Sequence, residues 1–123
     1  MFVWDKEGLK THVLSAEMDM PDNHTITGHQ VVENWVKRQY YYVISFDKPY
    51  VVREVLSSAG GEKAKRLILD FDLAEGDTLQ VKIALSSVCL EGAKAALAKE
   101  NPGWDFDKIR MEACRQWNNL FDR

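Results

Sequence analysis

The chain has 123 residues, 46% hydrophobic and 28% charged, enough for one domain of ordinary globular composition. Its net charge of -3, with both signs interspersed, offers neither a basic field for nucleic acid nor a polybasic anchor for a membrane surface. No run approaches membrane-spanning length, and the opening Met1 to Gly8 lacks the charged start and apolar core of a secretory signal.

In chain order, residues 2–4 and 9–18 read as short strands on either side of a turn at Lys6-Glu7-Gly8. Met20 to Asn23 is a turn cluster. The extended piece that starts at His24 is interrupted at Gly28, where a glycine inside a strand predicts a bulge. Gln39 to Phe46 alternates Tyr40, Tyr42, Ile44 and Phe46 against Tyr41, Val43 and Ser45, the pattern of a central strand covered on at least one face. After Lys48-Pro49, Tyr50 to Leu56 is a further strand rich in β-branched residues, and Ser57 to Glu62 is a polar loop. Leu67, Leu69, Phe71 and Leu73 then point inward, and Ile68, Asp70 and Asp72 outward. Ala74-Glu75-Gly76-Asp77 predicts a hairpin turn, with Leu79, Val81, Ile83 and Leu85 on the core face of the returning strand.

Strand alternation breaks at Ser86-Ser87 and a helical period replaces it. Leu90, Ala93 and Leu97 share one face of a first helix, which stops at Asn101-Pro102-Gly103 because proline cannot continue it. Asp105 is placed to cap a second helix carrying Phe106, Ile109, Ala113, Trp117 and Leu120 at helical spacing. The fold class predicted is mainly β: part of an antiparallel β-sandwich over residues 1–87, then two amphipathic helices in residues 88–123. Phe106, Ile109 and Trp117 are expected to face the sandwich or each other, so that alanine at Trp117 costs a few kcal/mol.

Candidate chemistry is sparse. Asp70 and Asp72 sit two apart on one strand face, a geometry that suits paired carboxylates or a cation site but reads first as a solvated surface. His12, His24 and His29 lack zinc spacing, and Cys89 and Cys114 read as buried free thiols before a bridge between the helices. No phosphate loop or nucleophile elbow is present. Trp35 with Tyr41 is a candidate carbohydrate platform, since exposed aromatic faces stack on the apolar faces of sugars; packing inside the sheets is the ordinary alternative.

The string Ser86-Ser87-Val88-Cys89-Leu90-Glu91-Gly92-Ala93, then Glu100-Asn101-Pro102-Gly103-Trp104-Asp105-Phe106-Asp107 with Arg110, Ala113 and Trp117, resembles glycoside hydrolase family 92, the calcium-dependent exo-α-mannosidases. Ile26-Thr27-Gly28, Trp35, Gln39, Tyr42, Phe46, Lys48 and Pro49 follow the same family's pattern, with Tyr41-Tyr42 and Tyr50 as mild departures. Cys89 stands where the family usually carries a serine; thiol being the poorer acceptor, the start of the first helix is expected to fray. The resemblance implies the later part of an N-terminal β-sandwich domain and the helical linker to a catalytic (α/α) barrel, with Trp104, Phe106, Ile109 and Trp117 as interdomain packing residues. It implies that the general acid, the general base and the calcium ligands belong to the barrel, leaving no catalytic residue, metal site or cofactor in this chain. The partners implied are that barrel and α-mannosyl glycans, and the location implied for the parent enzyme is periplasmic, extracellular or at the cell surface. The alternatives are a stand-alone carbohydrate-binding sandwich and a structural interaction module.

Overall fold

The structure is a computed structural model that describes residues 2–4, 12–33, 35–57 and 65–122. Among these, seven strands precede two helices: β1 (Phe2–Trp4), β2 (His12–Asp19), β3 (Thr25–Glu33), β4 (Lys37–Phe46), β5 (Tyr50–Ser57), β6 (Lys65–Phe71), β7 (Val81–Ser86), α1 (Leu90–Glu100) and α2 (Phe106–Phe121). The predicted turn at Lys6-Glu7-Gly8 and most of the polar loop over residues 57–62 lie outside the described residues.

The strands form two antiparallel sheets, one of three strands in the order β1-β6-β5 and one of four in the order β2-β3-β4-β7. Alternation decides which side chains meet between them. Ile26 of β3 and Tyr42, Ile44 and Phe46 of β4 come from one sheet, Tyr50 of β5 and Leu67 and Leu69 of β6 from the other, and together they make one buried cluster edged by Met18, Val52, Phe71 and Leu79. Phe46 sits at its aromatic centre, 5.7 Å from the Tyr50 ring and 5.2 Å from the Phe71 ring, in the edge-on and tilted contacts that aromatic quadrupoles favour. The mainly β fold class, with its partial sandwich and two C-terminal helices, is as the sequence predicts.

The predicted hairpin is not there. Residues 74–77 do make a tight turn: Gly76 takes φ 85°, the Asp77 N–H donates to the Ala74 carbonyl at 3.1 Å, and the Asp77 carboxylate accepts from the Ala74 N–H at 2.9 Å. The chain on either side nevertheless enters different sheets, β6 pairing with β1 and β5, and β7 pairing with β4. Asp47 pins this arch, its carboxylate accepting from the Gln80 N–H at 2.9 Å and its own N–H donating to the Gln80 carbonyl at 3.2 Å. An alternating strand satisfies the inner face of either sheet, so its pattern does not choose a neighbour.

Val81, Ile83 and Leu85 lie opposite Phe46, Ile44 and Tyr42, on the inner face as expected. They are not covered: Ile83 stays 47% and Leu85 62% exposed, because the three-stranded sheet does not reach across the fourth strand of its partner. The other face of β7 and β4 is covered by α1, which buries Ala93 and Val43. Cys89 caps α1 in extended geometry, its Sγ accepting from the Gly92 N–H at 3.3 Å, so the thiol holds the first turn in place of the expected fraying. Ser86 Oγ adds acceptors for the Val88 and Cys89 N–H groups at 3.2 and 3.4 Å.

Gly28 is also not a bulge, since β3 pairs with β4 without a register shift along its length. The bulges fall at Leu14 in β2 and Arg53 in β5. Glycine is required at position 28 for another reason: the ring of Tyr42, directly across in β4, lies over it where a Cβ would stand.

Tyr50 ties the second sheet to the β2–β3 corner. Its N–H donates to the Asn23 carbonyl at 2.8 Å, and its hydroxyl lies 2.7 Å from the Asp22 carbonyl and 2.9 Å from that of Thr25. Burial first, then the carboxylates of Asp22 and Asp19, push its phenol above the ordinary range; burial does the same for Tyr42. Since the folded-state values are raised, both phenols contribute stability that is fully present below their unfolded value of about 10 and is lost as pH rises beyond it. The urea midpoint is therefore expected to fall as pH is raised from about 9 to about 11.5, around the unfolded value, and Tyr50→Phe should flatten the fall. A midpoint flat across this range would contradict the burial of both rings.

Candidate functional site

The two members of the predicted carbohydrate platform do not come together. Trp35 stands in the β3–β4 turn at 96% exposure, whereas Tyr41 lies six residues further along, roughly 20 Å at strand rise, on the outer face of the four-stranded sheet. One face of Tyr41 is already taken: the His29 ring stacks on it at 4.4 Å between centroids and 18° between planes. Register puts Glu17, His29, Tyr41 and Ser86 in one row across the four strands, with Asp19 and Thr27 in the next. Glu17, Asp19, Thr27, His29 and Tyr41, with Leu90, line an open cleft of about 580 Å³ at the start of α1. His29 Nε2 is buried there without a hydrogen-bond partner. The sequence reading missed Glu17 and His29 as neighbours of Tyr41, although the two-residue period of β2 and β3 carries that information once the pairing is known.

The carboxylate pair dissolves as well. Asp70 lies on β6 and takes a bidentate contact from Arg53, both oxygens at 2.7 Å from guanidinium nitrogens, while Asp72 lies past the strand end and is exposed. The bulge at Arg53 is what aims its guanidinium across to β6. Among the described residues, no group of three His, Cys, Asp or Glu side chains stands close enough to hold a metal ion. Cys89 and Cys114 are both free, the former half-buried and the latter exposed, so only the first fits the expectation of a buried thiol.

The residues expected to pack the helical segment behave in two ways. Trp104 is half-buried in the connector between the helices, with Lys82 Nζ over its ring at 4.0 Å and the same ammonium donating to the Asn101 carbonyl at 3.0 Å. It shares an open groove of about 590 Å³ with Leu79, Val81, Phe106 and Ile109. Asp105 caps α2 as predicted, accepting from the Lys108 N–H at 3.0 Å. Beyond that point α2 leaves the body of the molecule: it buries no residue and has no substantial packing against any strand or against α1. Phe106 and Trp117 are 66% and 60% exposed, and among the described residues Trp117 stacks on Phe121 of its own helix. Of the expectation that Phe106, Ile109 and Trp117 face the sandwich or each other, Phe106 and Ile109 do line the groove beside Leu79 and Val81, whereas Trp117 is carried outward with the helix and stacks on Phe121 instead. Trp117→Ala should accordingly leave the fold of the single chain within about 0.5 kcal/mol, measured as a denaturation midpoint at low protein concentration.

Among the described residues no helix is long and apolar enough to cross a membrane. Compared with known proteins, the chain matches no family model and none of the curated sequences.

Proposed function

We propose that this chain is a non-catalytic β-sandwich module of a family 92 type exo-α-mannosidase, seated against the catalytic barrel of its parent polypeptide and helping to shape the glycan-binding cleft. The observation that carries the reading is the uncovered inner row Val81, Ile83 and Leu85, continuous through Leu79 with the groove at Trp104 and Phe106. A strand with an apolar row on its core face and nothing over it belongs to a larger packed unit. The residues of the family resemblance support it further, since they supply the strand end, the Cys89 cap, the Asn101 to Asp105 connector and α2. In this reading residues 1–87 are the sandwich part and residues 88–123 the linker, with Trp104, Phe106, Ile109 and Trp117 turned to the barrel. The parent acts on α-mannosyl glycans in the periplasm, outside the cell or at its surface. Calcium, the general acid and the general base are the barrel's.

The test is association of this chain with a separately produced family 92 catalytic barrel lacking its own sandwich. Binding lost in Trp104→Ala, with mannose release from an α-linked disaccharide only when both parts are mixed, is the expected result. No association, or mannose release by this chain alone that disappears in Asp70→Asn, would overturn the reading.

The full exposure of Trp35 favours one alternative, a stand-alone carbohydrate-binding module. A mannose titration that quenches tryptophan fluorescence in the chain but not in Trp35→Ala decides for it.

A further inference from the structure

A helix of 16 residues is close to the shortest that holds its shape unaided in water, and among the described residues no strand or helix covers α2. Its apolar side chains are ordered in a particular way. From Phe106 to Ile109, Ala113, Trp117 and Leu120 the intervals are three, four, four and three residues, a sequence that reads the same in both directions. At about 100° per residue they fall within a sector of about 80°. We propose that α2 pairs with the α2 of a second copy of this chain, antiparallel and centred on Ala113.

A two-fold axis through Ala113 sets Phe106 against the partner's Leu120 and Ile109 against the partner's Trp117. Ala113 meets its own counterpart, and so small a residue at the crossing lets the helix axes approach to about 8 Å. Each large apolar side chain therefore finds another, which is what an isologous contact requires. Phe121, stacked on Trp117, widens the stripe at the end where the partner's helix begins.

The area is sufficient. Phe106, Ile109, Trp117, Leu120 and Phe121 are between 45% and 76% exposed, and at about 150 to 250 Å² for each large side chain they offer on the order of 600 Å² per copy. Two copies bury roughly 1,200 Å², the lower edge of a specific protein interface. Charge does not oppose the contact. Arg110 pairs with Asp107 at 3.5 Å and Arg115 with Glu112 at 3.2 Å within the helix, so with Lys108 its net charge is only +1. So small a charge argues against a lipid surface, which selects helices with a basic polar face.

The proposal competes with the mannosidase reading for this stripe, since a barrel seated on Trp117 and a second copy exclude each other there. Sedimentation equilibrium of the full chain at tens of micromolar is expected to give twice the 14.1 kDa of one copy. Ala113→Glu adds a carboxylate at an exposed position away from the core and should weaken self-association by about 100-fold or more. Orientation is read with Cys89→Ser and Cys114→Ser in place: Ile109→Cys and Trp117→Cys chains should form a disulfide with each other on mixing, and Ile109→Cys should not form one with itself. A single-copy mass for the unaltered chain, a dimer indifferent to Ala113→Glu, or Ile109→Cys self-linkage would each overturn the proposal. Binding of a single copy to the family 92 barrel through Trp117 would return the stripe to the reading above.

Discussion

Phe46→Ala is expected to lower stability by about 3 to 5 kcal/mol, a large share of the roughly 5 to 15 kcal/mol that holds a domain folded. The ring is 1% exposed and reaches from β4 to the other sheet, edge-on to Tyr50 and tilted against Phe71. Truncation removes the transfer free energy of the side chain, leaves a cavity between layers that strand pairing prevents from collapsing, and strands two aromatic rings. Urea denaturation followed by near-ultraviolet circular dichroism measures it. A loss below about 1 kcal/mol would mean that the two sheets are not packed face to face at this point.

Gly28→Ala should be nearly as damaging although it adds one methyl group. A Cβ there meets the Tyr42 hydroxyl and ring carbon and lies 2.6 Å from the Glu17 carbonyl, so a side chain in β4 and the backbone of β2 must both yield. Neither yields easily: Tyr42 is locked in the buried cluster, and Glu17 is paired across from His29 in the ladder. Overpacking of this kind costs about 1 to 3 kcal/mol, and the upper end is expected where backbone is involved. Tyr42→Phe in the same chain should recover only part of the loss, since the ring carbon and the carbonyl remain in the way. Full recovery would show that the hydroxyl alone is the obstacle.

The sequence was most legible where one local rule determined one local outcome. Both faces of β4, the Asp105 cap, the break at Pro102 and the turn at residues 74–77 follow from side-chain chemistry within a few residues. It was least legible where the outcome depended on a distant neighbour. Leu67 and Ile83 alternate alike, yet one lies beneath the opposite sheet and the other looks onto nothing. The same limit applies to the site. An aromatic in a strand is visible in the sequence, but that Tyr41 is already stacked on His29, and that Trp35 lies far along the strand from it, depends on register. The apolar stripe of α2 is legible as a stripe; what covers it is not written in its spacing, because the connector carries the helix away from the strands.

The arch between β6 and β7 has a consequence for the order in which the molecule assembles. β2, β3 and β4 form a meander whose pairings close short loops, whereas Tyr41 finds Ser86 only after the chain has crossed to the second sheet and returned. Closing the longer loop costs more entropy before any contact repays it, so β7 docks late and α1, which needs both β4 and β7 beneath it, docks later still. In native-state hydrogen exchange, β7 and α1 should open together at a free energy below that of the meander, and equal protection of the Ala84 amide, which faces β4, and the Ile44 amide, which faces β3, would contradict this order.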